Sequence, residues 1–382
     1  MEYRILGRTG LKVGAIALGC EGFADKTAEE VRADFDFAIR NGINFLDLYA
    51  SNPELRSNIG AALAGRREKF VIQGHLCSVW EEGQYLRTRD PEKSLAAFED
   101  LLARLGTDYV EIGMIHYVDA EADLREVLDG PIMRLAQRLR SEGRIRHIGL
   151  SSHNPVVAHM AARTGLIDVL MFSVNPCYDL LPPSDDVDTL WADESYAREL
   201  HNIDPERQRL YEFCEREGIA IDVMKAYGGG DLLSDANSPF GRPMTPVQCL
   251  EYALTRPGVA AVMAGCRSRA EIEAALAWGS ATAAERDYTG ALAGLDKFSW
   301  EGHCMYCGHC APCSVGIDIA GVNKYYNLTL AQHEIPETVR EHYRLLPHHA
   351  SECIACGRCE RNCPFGVDII GHMRLAAAKF GY

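Results

Sequence analysis

The sequence predicts an α/β chain, a closed (β/α)8 barrel followed by a small helical domain built on cysteines. Three observations predict it. Eight short apolar runs alternate with amphipathic stretches before residue 299. Eight of the 14 cysteines fall after residue 303, in two tight runs. Each of those runs is followed by a segment that matches the other. We place the domains at residues 1–298 and 299–382.

The strand candidates are AIALG (15–19), INFLDL (43–48), KFVIQG (69–74), YVEIGMI (109–115), RHIGLS (146–151), VLMFSV (169–174), IAIDVM (219–224) and VAAVMAG (259–265). Helix candidates between them include AEEVRADFDFAIRNG, PEKSLAAFEDLLARLG and PIMRLAQRLRSEG. Each ends at or near a glycine, which suits the left-handed residue that closes a helix. Eight βα units favour a closed barrel, because a doubly wound sheet usually has fewer strands. The opening YRILGRTGLKVG reads as two short strands around a Thr-Gly turn, plugging the barrel's N-terminal end.

Composition narrows the function. The chain has 382 residues, 47% hydrophobic and 24% charged, as an ordinary globular protein does. A net charge of −15 argues against a nucleic-acid partner, whose phosphates reward a basic face. No apolar run is long enough to span a membrane. The opening residues lack the charged and apolar regions of a signal peptide. The cytoplasm is the expected compartment.

Clustered cysteines at the end of a large chain read as metal ligands rather than disulfides. The first run is Cys304, Cys307, Cys310 and Cys313. The second is Cys353, Cys356, Cys359 and Cys363, closed by Pro364. The second has the spacing of bacterial two-cluster ferredoxins, where the fourth thiolate serves the other cluster. Two 4Fe–4S clusters are therefore expected. Cys304, Cys307, Cys310 and Cys363 would hold one, and Cys353, Cys356, Cys359 and Cys313 the other. Zinc is the alternative metal, but its sites use cysteine pairs set far apart. After the runs come SVGIDIAG and PFGVDIIG, so Gly316/Gly366, Asp318/Asp368 and Gly321/Gly371 correspond. The segments AGVNKYYNLTLAQ and PETVREHYRLL between the runs have helical periodicity.

Barrels of this kind do their chemistry at the C-terminal ends of the strands. Those ends carry Cys20 and Glu21, Asp47 and Tyr49, His75, His116 and Tyr117, Ser151 to Asn154, Asn175, Lys225, and Gly265 to Arg267. Titratable groups at nearly every strand end mark a lined pocket.

The segments RILGRTGLKVGAIALG, INFLDLY, MIHYVD, IRHIGLSSHNP and AGCRSRAEIEAAL together resemble the aldo/keto reductases over roughly residues 1–295. VMKAYGGGDLL and the cysteine tail resemble that family's iron–sulfur branch. The resemblance implies carbonyl reduction with NADP(H), using an Asp, a Tyr, a Lys and a His. Asp47 matches the Asp and His116 the His. Asn52 stands where the Tyr is expected and His75 where the Lys is expected, so the family's acid is missing. Tyr49 or His75 could supply the proton instead, and Lys225 could replace the lost ammonium. Where the family holds the nicotinamide amide with a Ser-Asn pair and a Gln, this chain has Ser151-Ser152 and Asn175, so the hydride end is altered. Gly265, Arg267 and Ser268, by contrast, match the family's anion-holding loop.

Hydride transfer moves two electrons and each cluster passes one, so cooperating halves need an electron splitter. No feature identifies a flavin site. The leading expectation is an oxidoreductase acting on a small carbonyl or hydroxyl compound, with electrons passing through the clusters. A ferredoxin- or flavodoxin-type carrier is the corresponding partner. One alternative is an NAD(P)H-dependent reductase whose clusters are structural. Another is an electron-transfer or redox-sensing module. The segment from Tyr178 to Asp204, with Trp191 and Tyr196, is long enough to be a lid.

Overall fold

In the computed structural model, which describes residues 1–293, 295, 297–330 and 335–382, the eight predicted runs close into a parallel barrel. Its strands are Ile16–Gly19, Phe45–Leu48, Val71–Leu76, Val110–Ile115, Ile145–Ser152, Val169–Ser173, Ala220–Met224 and Val259–Gly265. Each pairs with the next in sequence, and the eighth pairs with the first through Val262 and Ile16. The strands read as near-continuous apolar runs because helices cover their outer face while side chains fill the centre.

The opening hairpin pairs Tyr3–Ile5 with Lys12–Gly14. Its Leu6 and Val13 are fully buried in one cluster with Phe45, Ile112, Met171 and Met263. They cap the apolar centre of the barrel, as the sequence predicts. Burying a side chain of this size contributes about 1.5–3 kcal/mol.

The helices start on strong caps. The Asp90 carboxyl accepts from Glu92 N and Lys93 N at the head of Pro91–Leu105, which ends on left-handed Gly106. Thr27 and Glu30 form a reciprocal capping box on Ala28–Arg40. Each such cap is worth about 1 kcal/mol.

Glu212 shows how tightly the outer ring packs. It lies buried on Pro205–Glu217, accepting only from Gln208 Nε2 at 2.6 Å. Burial pushes its carboxyl from 4.5 to about 7. The folded chain therefore holds this proton more tightly than the unfolded chain. Stability falls as pH rises from 4.5 to about 7, and the loss is complete above that. Glu212→Gln is expected to stabilise the protein at alkaline pH by on the order of 2–3 kcal/mol. At pH 4.5 it should give little gain; thermal melts at the two pH values check this.

Two elements escaped the sequence reading. Ser78–Glu81 and Gln84–Arg87 form an antiparallel hairpin directly after the third barrel strand. Its turn is Glu82-Gly83, both at positive φ, which suits the twist of a two-residue hairpin. The segment 178–204 is also pinned rather than free at its end. Leu200 and His201 pair in parallel with Phe298 and Ser299.

Beyond the barrel the chain is helical, with Ile319–Leu330, Glu337–Arg344, Arg358–Asn362 and Ile369–Phe380. Residues 331 and 332 of the predicted first helix lie outside the described residues. The internal repeat has a physical basis. Asp318 Oδ1 accepts from Gly321 N at 3.0 Å, and Asp368 Oδ1 accepts from Gly371 N at 2.9 Å. A Cβ on either glycine would lie 2.4 or 2.1 Å from its aspartate's Oδ2, so a larger residue would displace the carboxylate from its cap. Among the described residues no helix is long and apolar enough to cross a membrane.

Candidate functional site

Three predicted residues meet at the C-terminal mouth of the barrel. Asp47 ends the second strand, His75 lies on the third, and His116 follows the fourth. All three are buried. His75 Nε2 lies 2.9 Å from Asp47 Oδ1, and His75 Nδ1 lies 2.7 Å from His116 Nδ1. The chain continues to a residue the sequence reading missed. The Tyr85 hydroxyl, on the hairpin, hydrogen-bonds His116 Nε2.

The partners assign the tautomers. Asp47 accepts from His75 Nε2–H, His75 Nδ1 accepts from His116 Nδ1–H, and His116 Nε2 accepts from Tyr85 O–H. Burial, and then the neighbouring His75, hold the His116 imidazole well below its ordinary pKa, so it stays neutral. Burial likewise keeps the Tyr85 phenol protonated. Tyr85 is only partly buried, so this end of the chain is open to a small molecule. The arrangement can move a proton between Tyr85 and Asp47 without water.

The floor beneath it is polar. Gln73 Nε2 donates to Asp47 Oδ1 at 2.9 Å and to Asp222 Oδ2 at 3.0 Å. Burial and the facing Asp47 push Asp222 well above the carboxyl range, so it is protonated. The backbone around His116 is fixed by Arg89, which donates to the carbonyls of His116 and Tyr117 and pairs with Asp123.

Other predicted residues have different work. Asn52 lies outside the chain of hydrogen bonds; its Oδ1 accepts from Leu55 N at 3.0 Å and caps Pro53–Leu63. Tyr49 stacks on His116, with centroids 5.5 Å apart and planes 9° apart. Burial, and then Glu21, raise the pKa of its phenol. Lys225 does not stand in for the lost ammonium. It is exposed, with φ 63°, and its ammonium lies 5.9 Å from the centre of the Trp191 ring.

The nicotinamide side is largely spent. Asn175 Nδ2 donates to Lys225 O, while its Oδ1 accepts from Cys177 N and Tyr178 N. Ser152 Oγ donates to Asp119 Oδ1, and Ser151 is buried. On the opposite side, Gly265 and Arg267 are exposed, and Ser268 caps Arg269–Leu276.

The cysteines group across the two runs. Cys304, Cys307, Cys310 and Cys363 line one hollow of about 330 Å³. Cys313, Cys353, Cys356 and Cys359 line another of about 380 Å³, and Cys310 lines both. Cys356 is exposed, whereas the first hollow lies toward the barrel. Four thiols around each hollow fit an iron–sulfur cluster, the chemistry expected of such a donor set.

A parallel barrel with a titratable chain at its mouth, joined to a cysteine-built domain, defines an oxidoreductase. Residues 11–248 match the aldo/keto reductase family, and the chain belongs to that family. Residues 303–368 match a 4Fe-4S dicluster domain. L-galactose dehydrogenase of Arabidopsis thaliana is 25% identical over 72% of this chain and 86% of its own length. The oxidoreductase YqkF of Bacillus subtilis, described as uncharacterized, is 28% identical over 45% of this chain, a match that spans 56% of that protein. The holo form of aldo-keto reductase AKR11C1 from Bacillus halodurans superposes with a TM-score of 0.58 at 23% identity, over 75% of this chain and 94% of that one. That likeness establishes the fold.

The signal for Tyr85 was present in the sequence. In SVWEEGQYLR two short runs rich in aromatic and apolar residues flank a Glu-Gly pair, which is a hairpin signal. Its contact with His116 is not readable there.

Proposed function

We propose that this oxidoreductase interconverts a carbonyl and a hydroxyl on a small organic molecule at the barrel mouth, with electrons passing through two 4Fe–4S clusters. The hydrogen-bonded chain Asp47–His75–His116–Tyr85 carries the reading. Reduction takes two electrons and two protons. The electrons would come singly from an external carrier and the proton on carbon from water at the open mouth, while Tyr85 replaces the missing tyrosine as the proton donor to the carbonyl oxygen. In the other direction it takes the proton from a hydroxyl. Its own proton then passes to His116 Nε2, the His116 Nδ1 proton passes to His75, and Asp47 stabilises the charge that forms there. Such a relay contributes about 10²–10⁴ in rate.

The clusters supply one-electron transfer when bound. Cys304, Cys307, Cys310 and Cys363 would hold the cluster nearer the barrel, and Cys313, Cys353, Cys356 and Cys359 the outer one. The exposed Cys356, flanked by Arg358 and Arg361, suits a small acidic electron carrier of the ferredoxin or flavodoxin type. The cytoplasm is the matching compartment.

A second reading keeps NADP(H). Arg267 and Arg269, at the head of a helix whose N–H groups favour anions, fit the phosphate end of the cofactor. The commitments of Asn175 and Ser152 do not fit its amide end, so the first reading is preferred. An anaerobic titration followed by visible absorbance and EPR tests the choice. A low-potential one-electron donor is expected to bleach the cluster band, and NADPH or NADH alone to leave it intact. NADPH binding with the cluster band intact would sink the first reading in favour of the second, and bleaching by NADPH would make a nicotinamide the source of the electrons.

A further inference from the structure

We propose that Arg256 is the internal counter-ion of the Cys304, Cys307, Cys310 and Cys363 cluster and holds that cluster's reduction potential above the value its burial would give. The argument begins with the cost of the side chain's position. Arg256 lies between the helix Pro246–Leu254 and the eighth strand, and is 2% exposed. A buried guanidinium without an anion costs several kcal/mol.

Among the described residues no carboxylate forms an ion pair with it. Asp179, which acts on it from further off, is already engaged: it accepts from Tyr211 at 2.5 Å and Tyr252 at 2.7 Å, with Arg207 Nη1 3.6 Å away. Arg256 Nη1 has no partner among the described residues.

What surrounds the guanidinium points to the cysteine loop. Arg256 Nη2 donates to Met305 O, the carbonyl next after Cys304. Tyr288 OH donates to the same carbonyl at 2.6 Å and accepts from Arg256 at 3.2 Å. The guanidinium carbon lies 4.5 Å from the centre of the Tyr252 ring and 5.3 Å from that of Tyr306, the residue before Cys307. A barrel residue thus clamps the loop between two predicted ligands and brings a fixed positive charge beside them.

A 4Fe–4S cluster with four thiolates is anionic, and reduction adds one further negative charge. Burial disfavours the reduced form, and a nearby cation favours it. The outer cluster, at exposed Cys356, has water for that purpose. The inner one has Arg256. Arg256 is therefore a positioning residue that keeps the inner cluster reducible. The proposal rests on the clusters being present and not on the Tyr85 relay.

The test is an anaerobic redox titration of the cluster-loaded full chain, read by EPR. Iron content is measured first, so a wild-type chain without iron overturns the cluster assignment itself. In Arg256→Gln, one midpoint potential is expected to fall and the other to stay. The one that falls should be the signal that Cys307→Ser removes. Arg256→Lys, which keeps the charge, should hold both potentials near wild type. Unchanged potentials, equal shifts in both clusters, or the same shift in Arg256→Lys would overturn the proposal. Should Arg256→Gln load fewer than two clusters, Arg256→Met, which keeps the buried stem and removes the charge, carries the test: the inner midpoint should fall while the outer stays. Two unchanged midpoints would overturn it.

Discussion

Tyr85→Phe is expected to lower kcat for carbonyl reduction by about a hundredfold or more, the scale of a lost general acid, with KM nearly unchanged. The phenylalanine ring keeps the edge contacts that Tyr85 makes with His116 and Tyr49, so the hairpin should still fold. Only the hydroxyl at the open end of the chain is removed. Tyr49→Phe, by contrast, should cost less than about tenfold, because that hydroxyl is not a member of the hydrogen-bonded relay. Steady-state kinetics on both variants decide between the two phenols. Equal losses, or a larger loss at Tyr49, would remove Tyr85 from the mechanism.

The second large effect concerns the crossing of ligands between the cysteine runs. If the hollows mark the clusters, Cys304 and Cys363 serve the same one although they are far apart in sequence. The double variant Cys304→Ser, Cys363→Ser should then retain roughly half of the wild-type iron. Cys304→Ser combined with Cys313→Ser breaks one ligand of each cluster and should lose nearly all of it. Iron and sulfide analysis after anaerobic purification reads the difference. Structural metal sites contribute directly to folding, so losing both clusters should also loosen the tail toward proteases.

Much of this was legible from residues alone, for reasons of period and spacing. Parallel barrel strands are buried on both faces, so each appears as an apolar run. Their order in space follows their order in the chain because βα units wind one way. Thiolate ligands at x-x intervals announce themselves, and the matching Gly, Asp and Gly after each run reflect a cap that a Cβ would displace. Asp47, His75 and His116 were found because strand ends converge when a barrel closes.

What escaped depends mostly on partners that are distant along the chain. Asn52, in the family's tyrosine position, became a helix cap. Lys225 turned toward Trp191 because its backbone is left-handed there. The Asn52 cap is local, an Asn before a Pro at a helix start, and the strand-end reading passed over it; the place of Lys225 is set by the fold.

The sequence by itself determined the eight-stranded barrel, the eight cysteine ligand candidates and the strand ends that face one mouth. Periodicity and spacing are properties of neighbouring residues and need no knowledge of the rest of the chain. Only the tertiary structure decided that Tyr85 closes the relay on His116, and that Arg256 reaches from the barrel to Met305. Each contact joins two elements that meet only after the barrel has closed and the tail has packed. Where a hydroxyl or a guanidinium ends is then set by which buried polar group it must satisfy.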